Sequence, residues 1–359
     1  DLENGSDDAT ISRNTVNGAG DNAITVRSNS DNVTIQYNSL YEAQNGVRVY
    51  GGADNAIIIN NTADDMNGKG IAVAANAIRV NNNTVSNTGN DGIEVSNSAD
   101  VDVIGNNVSQ TGGEGIDVNN SANADIKNNT VSGTASNGIS INPSPSSVIT
   151  GNTVTGAGAN GVDVSGSNGT LVKNNEVFDS TLNGIAVSGS DDVRVEENLV
   201  IFSGANGIAI SGGADNTVEE NIVALGAGNG IFAENTTGLN VADNIAGLVL
   251  GDAIRVEGGL NSTITGNLVG LSYGDGIALD GATGTTTVSD NKVLLVGGNG
   301  ISSTNGADTV NIDGNEVAIA GENGIYIDGG AYVNITDNSI AYVGFGLYDW
   351  VDTLSSEGW

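Results

Sequence analysis

The chain has 359 residues, of which 54 are Gly and only 2 Pro, with 38% apolar residues, no Cys, no His and a net charge of −33. Ten basic residues against 43 acidic ones exclude the basic patch that replaces phosphate counterions, so nucleic acid is not an expected partner. The glycines keep no three-residue period, which excludes collagen, and the missing Cys excludes disulfides and thiolate metal sites.

No apolar run reaches membrane-spanning length and no signal peptide is recognisable, so membrane insertion is not expected. The acidic excess favours a mutually repelling surface, divalent-cation binding or a salty habitat.

Two markers can be followed from the N-terminus. The first is a Gly-type position ahead of an apolar pair: Ala23, Gly46, Gly70, Gly92, Gly115, Gly138, Gly161, Gly184, Gly207, Gly230, Ala253, Gly276, Gly300, Gly324 and Gly346. The second is an Asn two residues ahead of an apolar residue: Asn14, Asn38, Asn61, Asn83, Asn106, Asn129, Asn152, Asn175, Asn198, Asn221, Asn244, Asn267, Asn291, Asn315 and Asn338. Both step by 22 to 24 residues, and a fixed period of this length marks a solenoid.

The unit is clearest at Asp91–Gly113, DGIEVSNSADVDVIGNNVSQTGG, which is repeated at Glu114–Ser136 as EGIDVNNSANADIKNNTVSGTAS. Apolar and polar residues alternate, so the pieces are strands. Ile93 and Val95 point inward and Glu94 outward; Val101 and Val103 point inward and Asp102 outward. Three short strands per 23 residues, joined by Gly/Asn/Ser turns, predict one coil of a parallel β-helix. About 15 coils follow, each strand pairing with its copy ~4.8 Å away. The hand of parallel crossovers makes the coil right-handed. The recurring Asn falls inward at a bend, where amides of successive coils can bond one another as a ladder. The Asn–Gly or acid–Gly pair is read as left-handed backbone at a tight bend.

With these residues in hand, the chain resembles the right-handed parallel β-helix repeat superfamily. The nearest likeness is to the regular GI-x-V … I-x-x-N-x-V repeats of surface, secreted and periplasmic β-helix proteins. More distantly the pattern is similar to pectate lyases, polygalacturonases and alginate epimerases. The resemblance covers nearly the whole chain and implies an all-β solenoid. It implies no single activity, because the superfamily mixes enzymes, sugar binders, adhesins and structural rods.

The chain departs from the enzymes of that superfamily. It has no His for an epimerase motif, and Asp64-Asp65 and Asp191-Asp192 lack the His or basic cluster that accompanies a polygalacturonase pair. Arg255 is outward, but its neighbours one coil away are Phe232 and Ala278 rather than calcium-binding acids. The Gly-to-Asn spacing of 13 to 15 residues and the Asn-to-Gly spacing of 8 or 9 leave no loop long enough to wall a cleft.

The best carboxylate group is the outward column Glu94, Asp117, Ser140, Asp163 on successive coils. Glu94 and Asp117 are expected ~5 Å apart and Asp117 and Asp163 ~10 Å apart, close to both glycosidase geometries. Without a wall to desolvate them they are expected to titrate as ordinary surface acids. No catalytic residue is therefore assigned, and Glu94, Asp117 and Asp163 are the nearest candidates. Asp102 and Asp125, stacked on another face, read the same way and offer calcium a loose site. No other cofactor is expected.

The later coils change character. The outward residue after the ladder Asn is Thr, Ser, Asn or Glu early on, then becomes Leu199, Ile222, Ile245 and Leu268 before Lys292, Glu316 and Ser339. A solvated column should stay polar, so these four read as a contact surface. Four residues after the Asn, Gly18, Glu42, Asp65, Asn87, Gln110, Gly133, Gly156 and Asp179 give way to Phe202, Leu225, Leu248, Leu271, Leu295, Ile319 and Tyr342. Strict alternation predicts this second column inward, as a longer strand and a wider core.

The solenoid is assigned to residues 1–343 and an aromatic segment to 344–359. Tyr342, Phe345, Tyr348, Trp350 and Trp359 concentrate at this end. They either cap their own last coil or cover the first coil of a neighbour, giving a head-to-tail filament.

Eleven Asn-x-Ser/Thr sequons, among them Asn82, Asn128, Asn235 and Asn261, fit an exported glycoprotein. The expectation is an extracellular or cell-surface structural protein whose main partner is itself, with glycans as a further partner. The alternatives are a polysaccharide lyase or hydrolase and a calcium- or glycan-binding module.

Overall fold

The computed structural model describes residues 1–306 and 308–344, and the chain divides into two compact units, Asp1–Thr181 and Leu182–Trp359. Both units are built on one plan. Where Val or Ile alternates with a polar residue the backbone extends, and a residue in left-handed backbone, most often Asn, Asp or Gly, ends many of the short runs.

One coil of the first unit shows the plan. Asp102–Ile104 belongs to sheet I, Asn107–Thr111 to sheet II and Ile116–Asn119 to sheet III. Each strand pairs in parallel with its copy one coil on: Val103 with Ile126, Val108 with Val131, Ile116 with Ile139. The second unit repeats this, with Val218 opposite Val241, Ile222 opposite Ile245 and Ile208 opposite Ile231. Among the described residues there are 15 strands of type I, 15 of type II and 14 of type III, so the 23-residue period is the coil. Ile93, Val95, Val103 and Val108 are fully buried inside it. Each such side chain contributes roughly 1.5–3 kcal/mol by leaving water.

The Asn ladder forms as expected. The Asn106 side-chain amide donates to Asn129 Oδ1 at 3.0 Å and to the Val80 carbonyl at 2.7 Å, and the Asn106 backbone N–H donates to the same Oδ1 at 2.9 Å. The rung thus satisfies its polar atoms on its neighbouring copies and on a backbone carbonyl, which removes the penalty of burying an amide. Rungs run from Asn14 toward Asn175 in the first unit and from Asn198 to Asn338 in the second.

The Gly column has a different cause from the one expected. Neither Asp91 nor Gly92 adopts left-handed backbone. Instead, a Cβ on Gly92 would run into Val108 Cγ1 and lie 2.7 Å from the Gly115 carbonyl oxygen. The glycine is there because sheet III turns back against a sheet II valine with no room for a side chain.

Two further ladders were not anticipated. Ser98, Ser121 and Ser144 each donate a backbone N–H to the hydroxyl of the next serine, at 3.1, 3.0 and 2.8 Å. The residue ahead of the Gly forms another: in the second unit the N–H groups of Asn206, Asn229 and Asp252 donate to Oδ1 of the preceding copy at 3.1, 3.0 and 2.8 Å.

Candidate functional site

Two features stand out from the repeat, one in each unit. In the first unit, register places Glu94 beside Asp117, Asp117 beside Ser140 and Ser140 beside Asp163, as the outward column requires. Asp91, from the ladder ahead of Gly92, is added to them. Carboxylate oxygens of Asp91, Glu94 and Asp117 all lie within 4.8 Å of one another. Asp91 Oδ1 accepts the Glu114 N–H at 3.1 Å, its other oxygen lies 3.6 Å from Lys69 Nζ, and Lys69 also pairs with Glu94.

Asp117, Asp91 and Asp163 do not titrate as ordinary surface groups. Burial, reinforced by the negative charges of Asp91, Glu114 and Glu94, pushes the Asp117 carboxyl up to about 7 against the opposing pull of Lys69. Burial likewise pushes Asp91 up to about 6, with Glu114 adding to the rise and Lys69 opposing it. Asp163 is raised by burial although Asn160 donates a 2.8 Å hydrogen bond to it. The expectation of ordinary surface acids is overturned for Asp117 and Asp163, because burial raises both; Asp91 beside Asp117 is only 5% exposed. One lysine serves two of the three carboxylates, and the third titrates close to neutral pH. The residue missed in the sequence is Asp91, whose signal was an acid where most copies carry Asn.

Asp102 and Asp125 are register partners, as expected, but each has its own cation: Arg79 at 3.7 Å from Asp102 and Lys127 at 2.7 Å from Asp125. Among the described residues, Asp91, Glu94 and Asp117 form the one group of three acids close enough to share an ion, and Asp102 and Asp125 are not part of it. In the second unit Arg255 stands between Phe232 and Ala278 and is held by Asp252 at 3.0 Å, Glu257 at 2.5 Å and Asp280 at 3.1 Å.

The second feature is the outer face of sheet II in the second unit. Ile222, Ile245 and Leu268 are in register and 44, 46 and 37% exposed, as the first aliphatic column requires. The second column departs from the expectation. Phe202, Leu225, Leu248 and Leu271 are exposed, not inward, because each sits at φ near +60°, which turns it to the same side as the first column. The signal was present in the early copies, where this position carries Gly18, Asn87, Gly133 and Gly156, the residues that tolerate left-handed backbone.

The two columns form ridges over a floor of Ala224, Gly247 and Gly270, enclosing an apolar groove of about 420 Å³. The corresponding face of the first unit is polar, for example Asn107, Ser109 and Gln110. Tyr342 is exposed with φ +53°; Phe345, Tyr348, Trp350 and Trp359 lie outside the described residues.

A family model described as right-handed beta helix region matches residues 2–154 and 137–293. The chain belongs to this family. No curated protein matches it. Among solved structures it is similar to the Dettilon tailspike protein gp208, at 14% identity and a TM-score of 0.56 over 89% of this chain and 61% of that one. It is also similar to the catalytic unit of the thermostable GH87 alpha-1,3-glucanase from Streptomyces thermodiastaticus strain HF3-3, at 15% identity and a TM-score of 0.51 over 90% and 63%. A third likeness, to the periplasmic alginate epimerase AlgG, has 13% identity and a TM-score of 0.46 over 88% and 78%. This chain spans less than two thirds of the tailspike and glucanase chains. At these identities the likeness shows the fold alone. Among the described residues no helix is long and apolar enough to cross a membrane.

Proposed function

We propose that this β-helix is a non-catalytic, extracellular structural protein that associates with copies of itself. The lateral contact is the aliphatic face of sheet II, and an end-to-end contact runs through the aromatic terminus. The observation that carries the reading is the pair of exposed ridges, Ile222–Ile245–Leu268 and Leu225–Leu248–Leu271, which stand side by side on one sheet. Contiguous apolar surface of this kind marks an interaction site on soluble proteins. The exposed sequon residues Asn82, Asn128, Asn235 and Asn261 support an extracellular setting and glycans on the surface. The test is the double variant Ile222→Ser/Ile245→Ser, which should lower particle mass by light scattering while leaving the circular dichroism of the fold intact. An unchanged mass would overturn the lateral contact, and electron micrographs without filaments would overturn the end-to-end one.

One observation favours a second reading, a carbohydrate-active enzyme or a calcium- and glycan-binding module. Asp117, whose carboxyl is pushed up to about 7, stands within 4.8 Å of Glu94, close to the carboxylate pair of retaining glycosidases. New reducing ends or unsaturated products from neutral and acidic polysaccharides, lost in Asp117→Asn, would raise this reading above the first.

A further inference from the structure

We propose that the second unit binds water inside its coil, at the corner between sheets III and I, on the hydroxyls of Thr236, Ser262 and Thr286. These three lie on successive coils and are 1, 1 and 0% exposed. Among the described residues their hydroxyl oxygens have no hydrogen-bond partner.

The first unit shows what this corner requires. There a serine hydroxyl works in both directions: Ser121 Oγ accepts the Ser98 N–H at 3.1 Å and donates to the Asn119 carbonyl at 2.8 Å. A second hydroxyl closes the same corner a few residues on. Ser147 Oγ accepts the Ala124 N–H at 3.3 Å and donates to the Ser144 carbonyl at 2.8 Å. The turn buries backbone amides and carbonyls that need partners, and the hydroxyls join one coil's groups to the next.

The later copies lose this arrangement. The column Ser98, Ser121, Ser144, Ser167, Ser190 continues as Gly213, Thr236, Gly259 and Ala282. At Gly213 the loss is made good by Asn216, whose amide donates to the Ser190 carbonyl at 2.9 Å and accepts the Val193 N–H at 2.8 Å. The next copies of Asn216 are Leu239, Ser262 and Thr286, which carry no amide. Their hydroxyls and that of Thr236 take up neither half of the first unit's pattern.

Two of these hydroxyls converge. A Cβ on Gly259 would lie 2.9 Å from Ser262 Oγ and 3.7 Å from Thr236 Oγ1, so both face the place where the first unit's serines carry their side chains. Val256 Cγ1, 2.8 Å from the same point, closes the apolar side. A ligand here must fit within the corner of one enclosed coil and must both donate and accept hydrogen bonds. Water does so at a small cost in immobilisation, whereas dry hydroxyls forfeit their hydrogen bonds outright.

The experiment is a crystal structure of the native chain at a resolution that shows ordered water, with urea unfolding of Thr236→Val and Ser262→Ala beside it. One water is expected within about 3.2 Å of both Thr236 Oγ1 and Ser262 Oγ, and another within that distance of Thr286 Oγ1. Each variant removes one partner of the first water, so its unfolding constant should rise about threefold or more. Hydroxyls bonded directly to protein carbonyls in the crystal, or a corner without water density, overturn the site. Unchanged or raised stability in Thr236→Val overturns it as well, because Val keeps the shape of Thr and removing a dry hydroxyl relieves a penalty.

Discussion

Ile245 and Leu248 face solvent from the same strand, three residues apart, because Leu248 takes left-handed backbone at φ +56°. An L-residue with a large side chain pays about 1–2 kcal/mol for that conformation, whereas Asn tolerates it. Leu248→Asn is therefore expected to leave stability unchanged or raise it by up to about 1 kcal/mol, while weakening association. Thermal unfolding and particle mass, measured on the same sample, check both halves. A clear loss of stability would mean that Leu248 is held by packing within its own coil.

The interior of the Asn ladder should be far less tolerant than its exposed first rung. Asn129 donates to Asn152 Oδ1 at 2.9 Å and to the Val103 carbonyl at 2.8 Å, and its own Oδ1 accepts two N–H groups from Asn106. Asn129→Ala leaves these partners buried and unpaired, an expected loss on the order of 2–4 kcal/mol. Asn14 is exposed, so water replaces what Asn14→Ala removes, and the loss there should stay within about 1 kcal/mol. Urea unfolding of the two variants side by side makes the comparison; equal losses would count against the ladder as a cooperative element.

The parts of this molecule that are legible in the sequence are those set by a strict period. Val103, Val108 and Asn106 recur every coil, so their inward direction and the stacking of their copies follow from spacing alone. Ile222, Ile245 and Leu268 are legible for the same reason. Leu248 is not, because one left-handed residue breaks the alternation locally, and only the Gly and Asn of earlier copies betray it. Asp117 is not legible either. Its shift comes first from burial and then from Asp91 and Glu114, which lie outside its own column and meet it only through the register of adjacent coils.

Gly92 tests the close approach of sheets II and III. A methyl group there meets Val108 Cγ1 and the Gly115 carbonyl, so Gly92→Ala should destabilise by roughly 1–3 kcal/mol through overpacking. Shortening the neighbour in Gly92→Ala/Val108→Ala should recover part of that loss, although Val108→Ala alone destabilises. Denaturant midpoints for the three variants form a double-mutant cycle, and strict additivity would show that the two positions do not touch.

The acid cluster gives stability a pH dependence opposite to that of a salt-bridged carboxylate. Asp117 titrates at about 7 in the folded chain, against about 4 when unfolded. Between those values the folded chain holds a proton that the unfolded chain has lost, so stability falls as pH rises through the window and levels off above it. Asp91, at about 6, acts in the same direction. Asp117→Asn keeps a neutral side chain at every pH, so its melting temperature should fall less than the native chain's between about pH 5 and about pH 8. The variant should also be the more stable of the two at the alkaline end. Lys69→Met removes the cation that opposes both shifts, so its fall should be steeper. Melting temperatures by circular dichroism across that range decide it: equal falls in the native chain and Asp117→Asn would place the titrating group elsewhere.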